Sequence, residues 1–524
     1  LIEDSVVERI VREHAALSSL QPGMPFDLNV LDGERSRISS RLQNSGYYKF
    51  NKEYVRFEAD TCVGNQKVDL DVVIPLYRAS AESEPELHRR YKIHSVSFSG
   101  DAMAFDTSRD TSRLDSMVYR GFPIYYKHKL AFRPSVFTNN NAIEPGHLYR
   151  ERDVQRTYSN FGQLGAVMFS NIKMVENDSL PNMLDGFVTV HENKPRSLGA
   201  ELEGTNSAGD LALLLTYQNR NLFRGSELFS LKLRGAFEAI TGLEGYSDQN
   251  YMEISVEAGL TFPNFKLFRF NGRDRGLMRA TSEVSLLYDS QNRPEFHRRV
   301  LTSALRYRWQ SPNGLLRHRI DLIDLNYVFM PWISETFRKD YLEDETDRNA
   351  ILRYNYENLF IMRLGYSFTY NSQRNATSIA DYGSNALGIR FNVESAGNVL
   401  YGFSNLFGAS RNDQGQYTLF NIAYAQYLKG DFDISKSFRF DDRNSLALHF
   451  GIGIAYPYGN STILPYEKRY FSGGANSVRG WSVRELGPGR FTGGDGRIDF
   501  INQTGDIKLD LNAEYRTYLF WKLH

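Results

Sequence analysis

From about residue 197 onward the chain runs in segments of ten or so residues that alternate apolar and polar side chains, set apart by clusters of Gly, Asn, Asp and Pro. A period of two belongs to a strand with one dry and one wet face, not to a helix. In "SLALHFGIGIAYPYG" Leu446, Leu448, Phe450, Ile452, Ile454 and Tyr456 share one face, and Ala447, His449, Gly451, Gly453 and Ala455 the other. In "NALGIRFNVES" Leu387, Ile389, Phe391 and Val393 oppose Gly388, Arg390, Asn392 and Glu394. In "YMEISVEAGLTF" Met252, Ile254, Val256, Leu260 and Phe262 oppose Glu253, Ser255, Glu257 and Thr261. A soluble sandwich has the same period, so alternation alone leaves both architectures open.

Two features favour a membrane barrel. Charged residues recur in mid-strand on the polar face, as a wet lumen requires. Rings gather at segment ends: Phe262, Tyr307 with Trp309, Phe329 with Trp332, Tyr456 with Tyr458, and Tyr518 with Phe520 and Trp521. Aromatic girdles at the two membrane surfaces have this form. The residue counts agree, with 32 Tyr, 35 Phe and 41 Gly beside only 16 Pro. No window approaches the roughly 18 apolar residues of a membrane helix, so a helical membrane protein is excluded.

About twelve such segments can be counted, near 198–207, 209–219, 226–238, 250–262, 280–290, 297–309, 317–330, 359–371, 385–397, 417–439, 445–458 and 505–519. An even number of strands can close without leaving an edge in lipid. The chain stops at "FWKLH", with no further strand after the twelfth, and opens on Leu1 without a signal segment, so both ends read as truncated or processed.

The first 195 residues differ, with amphipathic helices beside short strands. A helix near 5–17 and a second in "PFDLNVLDGERSRISSRLQNSGYYKF", with Leu31, Ile38 and Leu42 on one face and Gly46 as C-cap, precede strands "EYVRFEA" and "KVDLDVVIP". A looser copy follows: strand "YKIHSVSFSG", a long irregular insert, helix "LYRERDVQRTYSNFGQLG", then "AVMFSNIKM" and "GFVTVHE". The expected domains are two α+β modules over 1–78 and 91–195, then a barrel over 197–524.

Charge is balanced, 62 Lys and Arg against 62 Asp and Glu, which gives no footprint for a nucleic-acid partner. Cys62 is the only cysteine; this excludes disulfides and thiolate metal clusters, and the lone thiol reads as a small buried group. His449 has no second histidine or carboxylate at ligand spacing along the chain. No motif calls for a cofactor, and no nucleophile–base arrangement announces an enzyme. The charged run 331–357 reads as a solvated loop or a surface helix.

One motif stands apart. "RYFSGGANSVRGWSVRELGPG", between the eleventh and twelfth segments, sets Val478, Arg479, Gly480 and Trp481 behind Gly473 and Gly474. Here the chain resembles the outer-membrane assembly and translocation factors of the BamA/TamA type, in which POTRA modules precede a barrel of sixteen strands. "VRGW" matches the family's V/I-R-G-F/Y/W signature in the loop that folds back into the barrel; "NRNLFRGS" is similar to its Asn-Leu-Phe-Gly turn; and the run from "LPYEKRYF" looks closest to TamA-like members from the Bacteroidetes. "GMPFDLNVLDGERSRISSRLQNSGYY" resembles the second half of a POTRA module.

The resemblance implies POTRA modules in the periplasm of a Gram-negative bacterium, a barrel among outer-membrane lipids, and unfolded outer-membrane proteins as clients, taken up by strand addition. It implies four further strands beyond His524 and, at the start, a first POTRA strand that is missing. A lateral seam would open along the first barrel strand, at Leu198, Gly199, Ala200, Glu201, Leu202 and Glu203. Arg479 would meet a carboxylate in the lumen, for which family position and strand parity select Glu514. It leaves an inner-membrane or lipoprotein partner on the modules open. A two-partner secretion pore, sharing architecture and motif, is the rival reading.

Overall fold

The computed structural model describes residues 1–64, 67–80, 82–100, 114–204, 211–238, 251–266, 278–311, 313–339, 356, 358–373, 385–441, 443–474, 477–481, 486 and 504–518. It divides into two compact units, Leu1–Asn193 with Phe223–Ser226, and Lys194–Leu222 with Glu227–His524.

In the first unit, α1 (Ser5–Glu13) starts where the Asp4 carboxylate accepts from the N–H groups of Val6 and Val7. Asp27 caps α2 (Leu28–Gln43) in the same way through Asn29. β1 (Arg56–Asp60) and β2 (Asp69–Val73) pair antiparallel, and Ile2 lies parallel beside Ile74 beyond β2. Val7, Ile38, Leu42, Tyr47, Phe50 and Val55 form the core between them.

The buried face of α2 holds a charge that the apolar spacing did not foretell. Glu34, only 3% exposed, accepts from Arg37 through both oxygens at 2.8 and 2.6 Å and from the Ser18 hydroxyl at 2.8 Å. Burial alone would raise its pKa; the Arg37 and Ser18 donors outweigh burial and hold it below the usual carboxylate range. Cys62, expected to be buried, is exposed. It sits in the turn after β1, where its N–H donates to the Asp60 carboxylate and the side chain has no core to enter.

The second module contains β3 (Lys92–Ser99), β4 (Asp115–Tyr119), β5 (Phe122–Tyr126), α3 (Pro134–Asn140), α4 (Glu151–Gly162), β6 (Val167–Glu176) and β7 (Met183–Glu192), with sheet order β4-β5-β3-β7-β6. The insert expected to be irregular forms the β4–β5 hairpin, turned at Arg120 and Gly121 with positive φ, and α3; its residues 101–113 lie outside the described set. Phe98, Phe137, Phe161, Leu184 and Val188 are fully buried at the centre. The two modules are bonded to each other. Tyr91 N–H donates to the Gly46 carbonyl at 2.8 Å, Tyr48 OH to the Met174 carbonyl at 2.9 Å, and Lys49 pairs with Glu176 at 2.7 Å.

The second unit is built on one antiparallel sheet of twelve strands. These are β8 (Arg196–Gly204), β9 (Leu211–Asn219), β10 (Leu228–Glu238), β11 (Tyr251–Phe262), β12 (Thr281–Asn292), β13 (Phe296–Gln310), β14 (Leu316–Ile333), β15 (Leu359–Asn371), β16 (Leu387–Ala396), β19 (Tyr427–Arg439), β20 (Asn444–Pro457) and β21 (Ile507–Thr517). Each pairs with its sequence neighbour in this series. Between β16 and β19 stand α5 (Asn398–Phe407) and a small hairpin of β17 (Thr418–Leu419) and β18 (Ile422–Ala423). The segment expected at 417–439 is therefore two pieces, because Phe420 and Asn421 take positive φ and turn the chain back. One face of the sheet exposes apolar side chains such as Ile254, Val284, Leu364 and Ile454. The other carries cross-strand ion pairs, Lys232 with Glu257 at 3.0 Å and Arg308 with Glu283 at 2.7 Å. This is a transmembrane barrel wall with a polar lumen face. Of the run 331–357, Pro331 to Ile333 complete β14 and Glu335–Phe337 make a helical turn; 340–355 lie outside the described residues, as do Phe520 and Trp521.

Arg37→Ala strands the Glu34 carboxylate without its fork. Hydrogen exchange of α2 amides in the full chain should accelerate by the equivalent of about 3 kcal/mol. Because the Glu34 pKa is lowered on folding, its contribution is present above its unfolded pKa and is lost as pH falls through the folded value. Glu34→Gln should flatten that acid-side loss.

Candidate functional site

The loop after β20 returns onto the lumen face of the sheet. Leu464 is buried against Ile361, Ala396, Tyr427 and Ala455. Tyr470 OH donates to the Asp431 carboxylate at 2.6 Å, and its ring lies so close over β20 that a Cβ on Gly453 would come within 2.6 Å of it. Glycine at 453 is a requirement of that close approach. Lys429 donates to the Lys468 carbonyl at 3.1 Å, and Tyr470 and Gly505 exchange two backbone bonds at 2.8 Å, joining the outgoing limb of the loop to the returning one.

A line of charges leads from the wall to this loop. Arg306 on β13 meets Glu283 at 3.2 Å, Asp321 at 3.6 Å and Asp324 at 4.0 Å. Arg363 on β15 meets Asp324 at 2.5 Å and also pairs with Glu394 on β16. Glu394, 4% exposed, takes Lys468 of the loop at 3.5 Å and the Tyr427 hydroxyl at 3.1 Å. Mid-strand charges were expected on the polar face; this network was not. Its cause is a register shift in β14 between Asp321 and Asp324, which breaks the alternation and lets an odd and an even position both serve the lumen.

The motif itself lies further along the same loop. Gly473 and Gly474 adopt φ of +96° and +89°, and Gly474 N–H donates to the Trp481 carbonyl at 2.8 Å, closing a small ring. Val478, Arg479, Gly480 and Trp481 are exposed. Gly480 has no positive φ and nothing within 4 Å of an added Cβ, so the tight turn belongs to the double glycine alone. Glu514 stands on the polar-face parity of β21, but both its oxygens are held by Arg516, at 2.9 and 3.2 Å. Arg479 is near enough for its charge to act on Glu514, with no hydrogen bond between them among the described residues. His449, read along the chain as isolated, lies 3.3 Å from the Asp433 carboxylate across the β19–β20 pair, a neighbour that only the register supplies. In β8, expected from the resemblance to form the lateral seam, Leu198 to Glu203 are all exposed and pair with β9 on one side.

The modules differ at their sheet edges. In the first, β1 has no strand on its outer side among the described residues. It borders a groove of about 330 Å³ lined by Phe26, Leu28, Leu31, Phe57 and Leu70. In the second, edge strand β6 is partly capped by tyrosines: Tyr158 OH bonds both the N–H and the carbonyl of Ile172, and Tyr48 OH donates to the Met174 carbonyl; the other edge strand, β4, pairs with β5 alone among the described residues.

The class is thus a strand-built membrane barrel preceded by α+β modules. Residues 334–523 match the family model of the Omp85 superfamily domain. The chain is similar in structure to BamA from Haemophilus ducreyi lacking POTRA domains 1–3, at 12% identity and TM-score 0.46, over 93% of this chain and 75% of that one. It is similar to CdiB from Acinetobacter baumannii at 10% identity and TM-score 0.35, over 78% and 76% of the two chains, and to CdiB from Escherichia coli at 12% and 0.35, over 88% and 81%. No curated protein matches.

Glu394→Ala removes a buried partner from Arg363 and Lys468 together. It should lower the temperature at which the fast-migrating folded barrel is lost on gels more than Glu514→Ala does, since Glu514 is exposed. Gly453→Val, which drives a side chain into the Tyr470 ring, should expose the loop to protease while the β19–β20 pairing persists.

Proposed function

We propose that this protein is a non-enzymatic outer-membrane insertase or translocase whose α+β modules, in the periplasm, receive unfolded outer-membrane proteins as added strands. The observation that carries the reading is the open β1 edge above its apolar groove. An extended client pairs its backbone there and sets alternate side chains against Phe26, Leu28 and Phe57, a mode that tolerates many sequences. The first module is favoured for capture because its open edge, unlike edge strand β4 of the second, runs beside an apolar groove, while the second module's β6 edge is partly capped.

On this reading the barrel covers 197–524, the modules 1–78 and 91–195, and the client's edge strand joins the wall along Leu198–Glu203 rather than meet lipid unpaired. Arg479 braces the lumen wall by exchanging with Arg516 for Glu514, whose two oxygens Arg516 holds in the structure and whose carboxylate suits a second guanidinium fork. Lysine at 479 lacks that fork. A two-partner secretion pore shares the resemblance, but no observation favours it.

The test is insertion of an unfolded barrel client into lipid vesicles carrying the full-length protein. Paired Phe26→Asp and Leu28→Asp substitutions should slow insertion severalfold and leave the heat-modifiable barrel intact. Unchanged insertion rates would remove the β1 groove, and with it this reading.

A further inference from the structure

The chain between β16 and β19 does not follow the alternating pattern of the wall. α5 is bracketed by Gly397 and Gly408, both left-handed at φ +74° and +65°. A Cβ on Gly397 would lie 2.4 Å from the Ala425 carbonyl oxygen, so the entry to the helix is fixed. Leu400 and Tyr401, with Tyr417, Ile422 and Tyr424 beyond the helix, pack on Leu325, Tyr327, Phe360 and Met362 of the sheet. These four residues belong to the outer face. Their neighbours Asp324 and Arg363 point into the lumen, and Leu364, Tyr366 and Phe368 continue the same parity as Phe360 and Met362. The helix therefore lies on the outside of the wall, at the rim opposite the one where β8 begins.

The side of α5 turned away from the sheet is apolar. Val399, Phe403, Leu406 and Phe407 follow the spacing i, i+4, i+7, i+8, and the helix has no charged residue. Phe403, Leu406 and Phe407 are 57%, 76% and 75% exposed, and in the same insert Phe420, at the tip of the β17–β18 hairpin, is 76% exposed. A surface of this kind marks a membrane or protein contact.

We infer that α5 is an interfacial anchor, its outer side seated among the lipid headgroups and upper acyl chains at the barrel rim. Lipid is the occupant because the helix stands on residues that themselves continue the hydrocarbon-facing band of the wall. With lipid against it the apolar belt runs on unbroken over the helix. The inference rests on the reading of the sheet as a membrane wall.

The test places an environment-sensitive fluorophore at single cysteines in a Cys62→Ser background of the full chain: Phe403→Cys, Phe407→Cys, Leu364→Cys on the wall and Asp413→Cys on an exposed loop. The proteins go into phosphatidylcholine vesicles with acyl chains brominated near the headgroup, and heat-modifiability confirms folding of each. Labels at 403 and 407 should emit to the blue and lose most of their emission to the brominated lipid, as the label at 364 does, while that at 413 loses little. Quenching at 364 but not at 403 and 407 overturns the anchor and leaves the wall standing. Escape at 364 as well sinks both. A blue shift at 403 that ignores brominated lipid and grows with protein density would show a second copy on this face, and the anchor would again be wrong.

Discussion

A backbone N–H or C=O facing hydrocarbon finds no water, so each must be bonded within the sheet. The rest of the second unit follows from that constraint. Twelve strands each bond their neighbours in series, and one face becomes apolar because it meets lipid. The polar face is then enclosed by the same wall, and charges placed there have to find each other. Arg306, Asp324, Arg363 and Glu394 do so from four adjacent strands. Their mutual bonds tie the wall crosswise, in the direction that the strands' own hydrogen bonds also run.

The limb that leads to Arg479 is held by that enclosed chemistry. Lys468 on Glu394, Tyr470 on Asp431 and the ring lying over Gly453 fix the limb, whereas the double glycine presents Arg479 in an exposed turn. The limb is thus packed and bonded while Arg479 is exposed. That is the physical basis for proposing that Arg479 and Arg516 exchange at Glu514. A passive pore has no need of such a device, nor of two bonded modules before the wall.

The modules differ in how their edge strands are covered. Both end in a strand edge that another chain could extend. Two tyrosine hydroxyls, one of them supplied by the preceding module, bond the Ile172 N–H and carbonyl and the Met174 carbonyl of β6, while β1 keeps its edge beside Phe26 and Leu28. The Tyr48 hydroxyl that covers the Met174 carbonyl also bonds the two modules to each other.

Much of this architecture is local and so could be read from the chain. A period of two requires only neighbouring residues, which is why twelve segments and the inward parity of Glu394 and Glu514 were legible. The two helices of the first module were legible for the same reason, from apolar spacing and the glycine after α2. The helix α5 had a signal, ten residues bracketed by Gly397 and Gly408, that strand periodicity drowned. Other features depend on residues brought together from afar. Register alone puts Asp433 beside His449, and the bulge in β14 sets Asp321 and Asp324 against Arg306 in defiance of alternation. Which carboxylate each arginine holds is a matter of ångströms across strands, and the partner that Glu514 takes in the structure is Arg516, two residues away on its own strand. The sequence by itself determined that there would be a wall with a wet and a dry face, because that is a property of each strand. Only the tertiary structure decided which charges meet inside it, which module edge stays open and which helix rides on its outer face, because those depend on pairings between segments far apart in the chain.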